Sequence, residues 1–246
     1  MKALVLAGGK GSRLRDHASD PPKPLMQVGG KRLMDFSLQN AVAAAVDGVV
    51  IVVSAFTEGV INQYGSSYHG VPITYKIQNE PKGVVHAIEC AAGALDGADF
   101  MLMLADEIVI GANHAEMINR FHGEDLFAVL GVVTVDDRAQ ISKTYAILED
   151  SLSSRIYRLV EKPRRPQNNV MGTGNCLFKN EILSYIDVCP INQARGEKEL
   201  PDLIQCAIDD GHPVKTHRVG SRYINVNASD DFIAALDLLA AHATRF

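Results

Sequence analysis

Cysteine is scarce in this chain of 246 residues, and its four cysteines are widely spaced with no C-x-x-C pair. Zinc sites and disulfide frameworks use closely and regularly spaced cysteines, so neither has support here. Free thiols suit a reducing compartment. We therefore expect the protein in the cytoplasm.

Long apolar runs and an excess of basic residues are also missing. No run approaches the roughly 18 residues that span a bilayer, and the apolar start, residues 3–7, is too short for a signal-peptide core. The formal net charge is -5, which argues against a broad basic surface that follows a nucleic-acid backbone. We expect neither a membrane nor a nucleic acid as a partner.

Histidine shows no catalytic pattern. None of the eight histidines has metal-like spacing with another or with a plausible nucleophile, and no covalent triad is visible. His86 follows Gly83 on a predicted helix and could approach a ligand there. A packed or half-exposed histidine is the favoured interpretation.

Apolar segments of strand length alternate with helical patterns in the first half of the chain. The predicted strands are 3–7, 49–53, 73–78 and 100–105, and the predicted helices are 32–46, 58–64 and 83–94. Such alternation is typical of βαβ units on a mainly parallel sheet. The continuous apolar run 100–105 suits the centre of that sheet, where both faces are covered.

The second half has shorter strands and no linker-like segment. The predicted strands are 128–135, 146–148, 156–160, 174–178 and 214–219, and the predicted helices are 179–187, 200–210 and 229–242. No internal repeat or low-complexity stretch divides the chain. We predict a single domain over residues 1–246.

A glycine-rich segment directly follows the first predicted strand and reads Leu6-Ala7-Gly8-Gly9-Lys10-Gly11-Ser12-Arg13-Leu14. Its glycines let the backbone turn tightly and bring N–H groups close to a phosphate chain. The residues after Gly8 do not supply the P-loop pattern G-x-x-x-x-G-K-[ST]. The dinucleotide pattern G-x-G-x-x-G also fails, because Leu14 takes the position of the third glycine. The alternative is a tight turn without a ligand.

Lys23 lies between two prolines, one loop further along the chain. The stiff backbone loses little entropy when the ammonium group is aimed at a fixed phosphate. Together Arg13 and Lys23 would bind the β- and γ-phosphates of a nucleotide as they leave as pyrophosphate. Taken singly, each is better explained as a solvated surface charge.

The two segments resemble the motifs of the sugar-1-phosphate nucleotidyltransferases, L-A-G-G-x-G-x-R-L followed by P-K-P. The resemblance implies a Rossmann-like α/β/α sandwich with a mixed, mainly parallel central sheet, similar to the GT-A fold. It also implies a nucleotide-binding half, residues 1–110, and an acceptor-binding half, residues 111–246. The implied reaction joins a nucleoside triphosphate to a sugar 1-phosphate with Mg²⁺ and releases pyrophosphate.

By this resemblance, the nucleotide site comes from the glycine segment and the following βα unit. Gln78 would pair with the base edge, and the glycine near the helix start would let the base lie against backbone. Without the resemblance, Gln78 is equally a strand-end side chain in solvent. Lys82 stands where relatives usually have an apolar residue, which leaves the base open. The implied nucleotide-binding residues are Leu6, Ala7, Gly8, Gly9, Gly11, Ser12, Gln78, Pro81 and Gly83.

The resemblance places a metal ligand at Asp106, after the central strand. The second ligand would come from Asn227, with Asn225 in reserve, although many relatives have a carboxylate in this segment. An amide oxygen can bind Mg²⁺ but attracts it less strongly than a carboxylate. The alternative for these asparagines is capping of the helix near Ser229. Glu107 would support the metal site or be a solvated neighbour, and we favour the solvated one.

The acceptor site is implied by two further segments. Val160-Glu161-Lys162-Pro163 resembles a family motif in which Glu161 would touch acceptor hydroxyls and Lys162 would neutralise the acceptor phosphate. A cation is needed because two anionic phosphates must approach each other. Gly172, Thr173 and Asn175 lie in a small-residue segment that would leave room for a sugar ring. Ala146 stands where relatives often have glycine, so the acceptor pocket could be reshaped.

Two other functions remain open. A CTP-dependent cytidylyltransferase for a phosphorylated alcohol shares the same first motif. A catalytically silent sensor of nucleotide sugars would fit the two amides at the second metal position. The chain ends soon after its last predicted helix, so we expect no appended domain and action alone or as a homo-oligomer.

Overall fold

The computed structural model describes residues 1–9 and 21–243. Within these residues the α-helices are α1 (Leu33–Ala43), α2 (Gly59–Tyr64), α3 (Gly83–Leu95), α4 (His114–Gly123), α5 (Leu200–Asp209) and α6 (Ser229–Ala243). Short 3₁₀ helices cover Lys23–Leu25, Arg138–Lys143 and Asn180–Tyr185. The strands are β1 (Lys2–Leu6), β2 (Gln27–Val28), β3 (Lys31–Arg32), β4 (Gly48–Val53), β5 (Ser67–Tyr68), β6 (Val71–Ile77), β7 (Phe100–Leu104), β8 (Glu107–Ile110), β9 (Ala128–Thr134), β10 (Tyr145–Glu149), β11 (Ile156–Glu161), β12 (Val170–Phe178), β13 (Ile191–Asn192), β14 (Glu197–Lys198), β15 (Val214–Arg218) and β16 (Arg222–Asn225).

A large mixed sheet forms the centre of the fold. Its strand order is β11-β10-β12-β7-β1-β4-β6-β5, and β9 pairs with both β12 and β15. The strands β7, β1, β4 and β6 run parallel, whereas β12 is antiparallel to β7, β9 and β10. The predicted α/β fold with a mixed sheet and a parallel centre is confirmed.

Helices cover both faces of the parallel centre because its strands are apolar on both sides. Every residue of β4 is buried. On β1, Val5 packs into one core with α1 and α4, and Leu4 packs into the opposite core with α3 and α5. This alternation of side chains on a strand produces the three layers.

The structure differs from the sequence prediction in several segments. The predicted helix at 179–187 is the short 3₁₀ helix Asn180–Tyr185, and the side chain of Asn180 donates to the carbonyl oxygen of Ala98. Helix α4 escaped prediction because it is largely polar, with only His114, Met117 and Phe121 buried. The β8–β16 pair was also missed, since it forms a separate small sheet between distant segments.

The described helices include none that is both long and apolar enough to cross a bilayer.

Candidate active site

The carboxyl ends of three parallel strands bring the predicted nucleotide residues together. Beyond the end of β1, the backbone N–H of Ala7 donates to the carbonyl oxygen of Val52, and that of Ala105 donates to Leu6. Gly8 lies beside Gln78, because a Cβ at Gly8 would be 3.3 Å from Gln78 Oε1. Ligands of open α/β sheets bind at this edge.

The glycine segment is described only as far as Gly9. Leu6 is half-buried, Ala7 and Gly8 are buried, and Gly9 is exposed. Gly11, Ser12 and Arg13 lie outside the described residues, so their predicted contacts with phosphates stay predictions.

Lys23 contacts both predicted metal ligands. Its Nζ donates to Asp106 Oδ2 at 2.5 Å and to Asn227 Oδ1 at 2.9 Å. Lys23 begins a 3₁₀ helix with Pro22 before it and Pro24 after it, and only 8% of its surface is exposed. The restricted proline backbone thus places a buried ammonium group at the edge of the sheet.

Asn227 faces this cation instead of capping α6. Its Oδ1 accepts from Lys23, and its Nδ2 donates to Asn225 Oδ1 at 2.8 Å. At the start of α6, the carboxylate of Asp231 accepts hydrogen bonds from the backbone N–H groups of Asn227 and Ala228, the two residues before the helix. Asp106 and Asn227 are also joined through the backbone, since the N–H of Val226 donates to the carbonyl oxygen of Asp106 at 2.9 Å.

The donor set at this point fits a hard divalent cation. Oxygen atoms of Asp106 and Asn227 already converge on one positive charge, and Asn225 supplies a further oxygen next to them. Mg²⁺ takes oxygen ligands and usually needs only one or two protein groups beside water and phosphate. Among the described residues, no three His, Cys, Asp or Glu side chains cluster as a metal site, so Mg²⁺ would depend on the single carboxylate of Asp106, the amides and the substrate phosphates.

Glu107 is buried, and the expectation that it is solvated is wrong. It is 4% exposed, and its carboxylate accepts from Gly174 N at 2.9 Å, Asn175 Nδ2 at 2.7 Å and Tyr223 OH at 2.5 Å. Burial raises the pKa of Glu107 to about 8, although the hydrogen bonds from Tyr223 and Gly174 act in the opposite direction. Glu107 therefore joins the turn at Asp106 to β12 and β16.

A cavity of about 230 Å³ adjoins this network and is lined by both halves of the chain. It is bounded by Val84 near the start of α3, by Gly172, Thr173 and Gly174 of β12, and by Asn225. Its charged lining residues are Glu107, Lys143, Glu161, Lys162, Arg195, Glu197 and Glu199. A wider cleft shares Lys143, Lys162, Arg195 and Asn225 with the cavity and extends to Asn227.

Charged groups alternate in sign along one wall of the cavity. Glu161 Oε1 lies 3.3 Å from both Lys162 Nζ and Arg195 Nη1, and Arg195 Nη1 lies 2.6 Å from Glu199 Oε1. Burial, with the nearby charge of Glu199, raises the pKa of Glu161. Lys162 has φ +41°, a left-handed conformation that costs a non-glycine residue energy and often occurs at functional sites.

The glycines of β12 make room for the chain's own side chains. A Cβ at Gly172 would lie 2.1 Å from the ring of Tyr145, and one at Gly174 would lie 2.4 Å from Leu104 Cγ. The space at Gly172 that we assigned to a sugar ring is therefore filled by Tyr145. Gly172 still lines the cavity, beside that ring.

Thr173 and Asn175 point their polar groups into the protein. Thr173 donates its hydroxyl to the carbonyl oxygen of Gly131, and Asn175 Oδ1 lies 2.8 Å from His114 Nε2. The two residues are 1% and 2% exposed. The structure brings Thr173 to the cavity wall but places Asn175 behind it, where it supports Glu107.

Gln78 follows β6 and lies against Gly83 at the start of α3, and Pro81 is exposed in the turn between them. Gln78 is 5% exposed and donates through Nε2 to the carbonyl oxygen of Gly83 at 3.0 Å, so it is not a solvent-facing side chain. Gly83 has φ +87°, and a Cβ there would lie 2.7 Å from Glu197 Oε2. The positive φ favours glycine at this position, and any other residue would also have to displace the side chain of Glu197.

Sequence reasoning missed the cationic residues Lys143 and Arg195 and the carboxylates Glu197 and Glu199. Arg195 lies in the turn between the two-residue strands β13 and β14, directly before α5. A polar turn before an amphipathic helix was the available signal, and such turns are common on protein surfaces.

Comparisons with known proteins agree on one family. The nucleotidyl transferase family model matches residues 2–236. A UTP–glucose-1-phosphate uridylyltransferase of Haloferax volcanii is 34% identical over 94% of this chain and 93% of its own length. A glucose-1-phosphate thymidylyltransferase of Streptomyces griseus is 31% identical over 88% of this chain and 59% of its own length.

Solved structures agree on the fold. A putative glucose-1-phosphate thymidylyltransferase from Bacillus anthracis has a TM-score of 0.86 at 22% identity, covering 96% of this chain and 94% of its own. A UDP-glucose pyrophosphorylase complexed with UDP-glucose also has a TM-score of 0.86, at 17% identity, with 98% of each chain covered.

Proposed function

The chain belongs to the nucleotidyl transferase family, and on that premise we propose that it is a Mg²⁺-dependent enzyme that uses glucose 1-phosphate as its acceptor. It is a nucleotidyltransferase that joins a nucleoside triphosphate to a sugar 1-phosphate, giving a nucleotide sugar and pyrophosphate. The donor in this proposal is UTP or dTTP, as in the names of the two relatives. We place the reaction in the cytoplasm, without nucleic acid or membrane, in a monomer or homo-oligomer.

One observation supports the proposal most directly. The buried ammonium of Lys23 is bound by Asp106 and Asn227 at the carboxyl edge of the parallel strands, and Asn227 lines a cleft that contains three more cations, Lys143, Lys162 and Arg195. A nucleoside triphosphate and a phosphorylated acceptor together carry several negative charges. A cation-rich cleft at this edge suits such a pair of substrates.

The reaction needs positioning and charge neutralisation. A phosphate oxygen of the acceptor attacks the α-phosphorus of the nucleotide in line, the bond to the β-phosphate breaks, and pyrophosphate leaves. The attacking oxygen is already anionic, so no general base is required. Lys23, with Arg13, would neutralise the leaving phosphates, and Lys162 would neutralise the acceptor phosphate.

Mg²⁺ would be held by Asp106 and Asn227, with Asn225 beside them. When bound, the ion supplies charge neutralisation at the phosphates and a template for their geometry. The carboxylate of Asp106 provides the negative charge for the ion, and the buried hydrogen bonds of Glu107 keep the adjacent turn in place. In this proposal residues 1–110 bind the nucleotide, and residues 111–246 bind the acceptor and contribute Asn225 and Asn227.

The test is pyrophosphate release by the purified protein with Mg²⁺, measured for UTP, dTTP, CTP, GTP and ATP against a panel of phosphates. The panel contains glucose 1-phosphate, mannose 1-phosphate, N-acetylglucosamine 1-phosphate, choline phosphate and glycerol 3-phosphate. We expect the highest turnover with glucose 1-phosphate and UTP or dTTP. Turnover confined to CTP and an alcohol phosphate would identify a cytidylyltransferase, and nucleotide binding without turnover would overturn the enzymatic proposal.

A further inference from the structure

The carboxamide of Gln78 has a fixed orientation. Its Nε2 lies 3.0 Å from the carbonyl oxygen of Gly83 and 2.9 Å from Nδ1 of His86. A backbone carbonyl can only accept a hydrogen bond, so the atom facing Gly83 must be the amino nitrogen. Both hydrogens of that amino group are therefore directed into the protein.

His86 contributes the second of these contacts from α3. Because Gln78 donates, Nδ1 of His86 must accept, and the ring proton then resides on Nε2. Nε2 lies 3.8 Å from Sγ of Cys90, a weak acceptor one turn further along the same helix. His86 is half-buried and so makes this contact from a packed position.

The carbonyl oxygen of Gln78 points the other way, toward the glycine segment. It lies 3.3 Å from the position that a Cβ at Gly8 would take. Among residues 1–9 and 21–243, the hydrogen bonds of this side chain are both made by Nε2 and none is made to Oε1. The amide thus presents an acceptor, and no spare donor, to the space beside Gly8.

We propose that His86 is a specificity-determining positioning residue that makes Gln78 a hydrogen-bond acceptor only, so that the site selects uracil or thymine over cytosine. The inference rests on the proposed function, in which the base lies against Gln78. Uracil and thymine carry N3–H, which can donate to Gln78 Oε1. Cytosine carries a lone pair at N3, which repels a carbonyl oxygen placed opposite it.

In this proposal, Nδ1 of His86 accepts one hydrogen of the Gln78 amino group, so that this hydrogen cannot be donated to a base. If Nε2 of Gln78 had one free hydrogen, the amide could turn and donate to N3 of cytosine. With both hydrogens bound, turning the amide breaks two hydrogen bonds inside the protein. A site whose polar groups are fixed by hydrogen bonds within the protein rejects a mismatched ligand more strongly than a site whose polar groups can reorient.

Two substitutions of His86 separate hydrogen bonding from packing. His86→Asn places an oxygen where Nδ1 stands, so it can still accept from Gln78. His86→Leu fills similar space without an acceptor. The dissociation constants of UTP, dTTP and CTP are measured by titration for the wild type and both variants, together with kcat/KM for each nucleotide at saturating glucose 1-phosphate.

We expect the wild type to bind UTP or dTTP at least about tenfold more tightly than CTP, since one hydrogen bond is worth about that factor. His86→Leu should lose roughly tenfold of this selectivity, and His86→Asn should keep it. A thermal melt establishes whether each variant folds. If His86→Leu fails to fold, two measurements still test the inference. These are the preference of the wild type between UTP or dTTP and CTP, and the selectivity of His86→Asn.

Three results would overturn the inference. These are a wild type that prefers CTP, a folded His86→Leu with unchanged selectivity, and a His86→Asn variant that loses selectivity as fully as His86→Leu. Failure of the proposed function would look different: no turnover would occur with any acceptor, while the binding titrations would still report on the base.

Discussion

The ammonium nitrogen of Lys23 lies 2.5 Å from Oδ2 of Asp106, although 83 positions separate the two residues in the chain. Lys23 is buried, and its side chain is paired with a carboxylate that we assign to the metal site. The cation proposed to bind phosphate and the carboxylate proposed to bind the metal therefore meet at one point.

Replacement of Lys23 should reduce turnover. In Lys23→Met the cation that neutralises the leaving phosphates is lost, and we expect pyrophosphate release to fall by about 100- to 1,000-fold, as for loss of one preorganised charge-stabilising group. Steady-state kinetics with saturating substrates measures the effect. Lys31→Met, at an exposed lysine, is the control, and a Lys23→Met enzyme with near-normal kcat would contradict this role.

The Mg²⁺ requirement should respond to the charge of the two assigned ligands. Because a carboxylate attracts Mg²⁺ more strongly than an amide oxygen, Asp106→Asn should raise the Mg²⁺ concentration for half-maximal activity, and Asn227→Asp should lower it. A Mg²⁺ titration at fixed nucleotide concentration measures both. Asn62→Asp, at an exposed position of α2, is the control. Equal Mg²⁺ dependence in all four proteins would argue against the assigned ligands.

Replacement of Lys162 should change the KM for the acceptor rather than the KM for the nucleotide. Lys162→Met is expected to raise the KM for the sugar phosphate by roughly 10- to 100-fold, since a charge-assisted contact is worth about 1.5–3 kcal/mol. The KM for the nucleotide should stay within about twofold, because the lost contact acts on the acceptor alone. Arg165→Met, an exposed cation in the same loop, is the control. A similar rise in both KM values would refute the assignment.

The glycine at 172 should tolerate no side chain. A Cβ there would lie 2.1 Å from the Tyr145 ring, so Gly172→Ala is expected to reduce the free energy of unfolding by about 1–3 kcal/mol. Gly93→Ala is the matched change, because Gly93 lies inside α3 with nothing within 4 Å of an added Cβ. It should stabilise the protein by about 0.5–1 kcal/mol. Denaturant unfolding measures the free energy of unfolding of both variants and distinguishes the expected decrease from the expected increase.

His114 should make stability depend on pH. Burial lowers the pKa of His114 below its ordinary value of 6.5, and the nearby His217 acts in the same direction, although the hydrogen bond with Asn175 opposes them. Between the lowered pKa and 6.5 the unfolded chain binds a proton that the folded chain does not. The stabilisation is therefore complete above pH 6.5 and is lost as the pH falls through the lowered value.

His114→Gln tests this dependence, because the amide can still donate to Asn175 but does not titrate. The free energy of unfolding is measured for both proteins from pH 8 down to pH 5. The difference between them should be constant above pH 7 and should shift in favour of the variant below pH 6.5. A constant difference over the whole range would exclude His114 as the cause.

The sequence predicted most of the parallel half of the fold. Strands such as β4 and β7 are continuous apolar segments bounded by turn residues, and this pattern specifies a buried strand without help from the rest of the chain. Helix α4 could not be found in this way. Its polar composition gives a weak signal, and tertiary contacts stabilise it, among them the packing of Met117 and Phe121 against the sheet.

The site shows the same division. The motifs around Gly8, Lys23, Asp106 and Lys162 could be identified because each is a short segment of characteristic residues. The environment of Glu107 could not be identified in this way. Its three hydrogen-bond partners, Gly174, Asn175 and Tyr223, are distant from it in sequence and lie on β12 and β16. From sequence alone, a carboxylate next to a proposed metal ligand is predicted to be solvated, because its distant neighbours are not known.

The sequence by itself determined the family and the alternation of strands and helices, and it predicted the segments proposed to carry the chemistry, because all of these depend on local residue patterns. Tertiary structure alone decided that Tyr145 fills the space left by Gly172, that Arg195 faces Glu161, and that His86 orients Gln78. Such contacts join side chains from different segments. Their distances are set by how the whole sheet and its helices pack, and no local pattern records them.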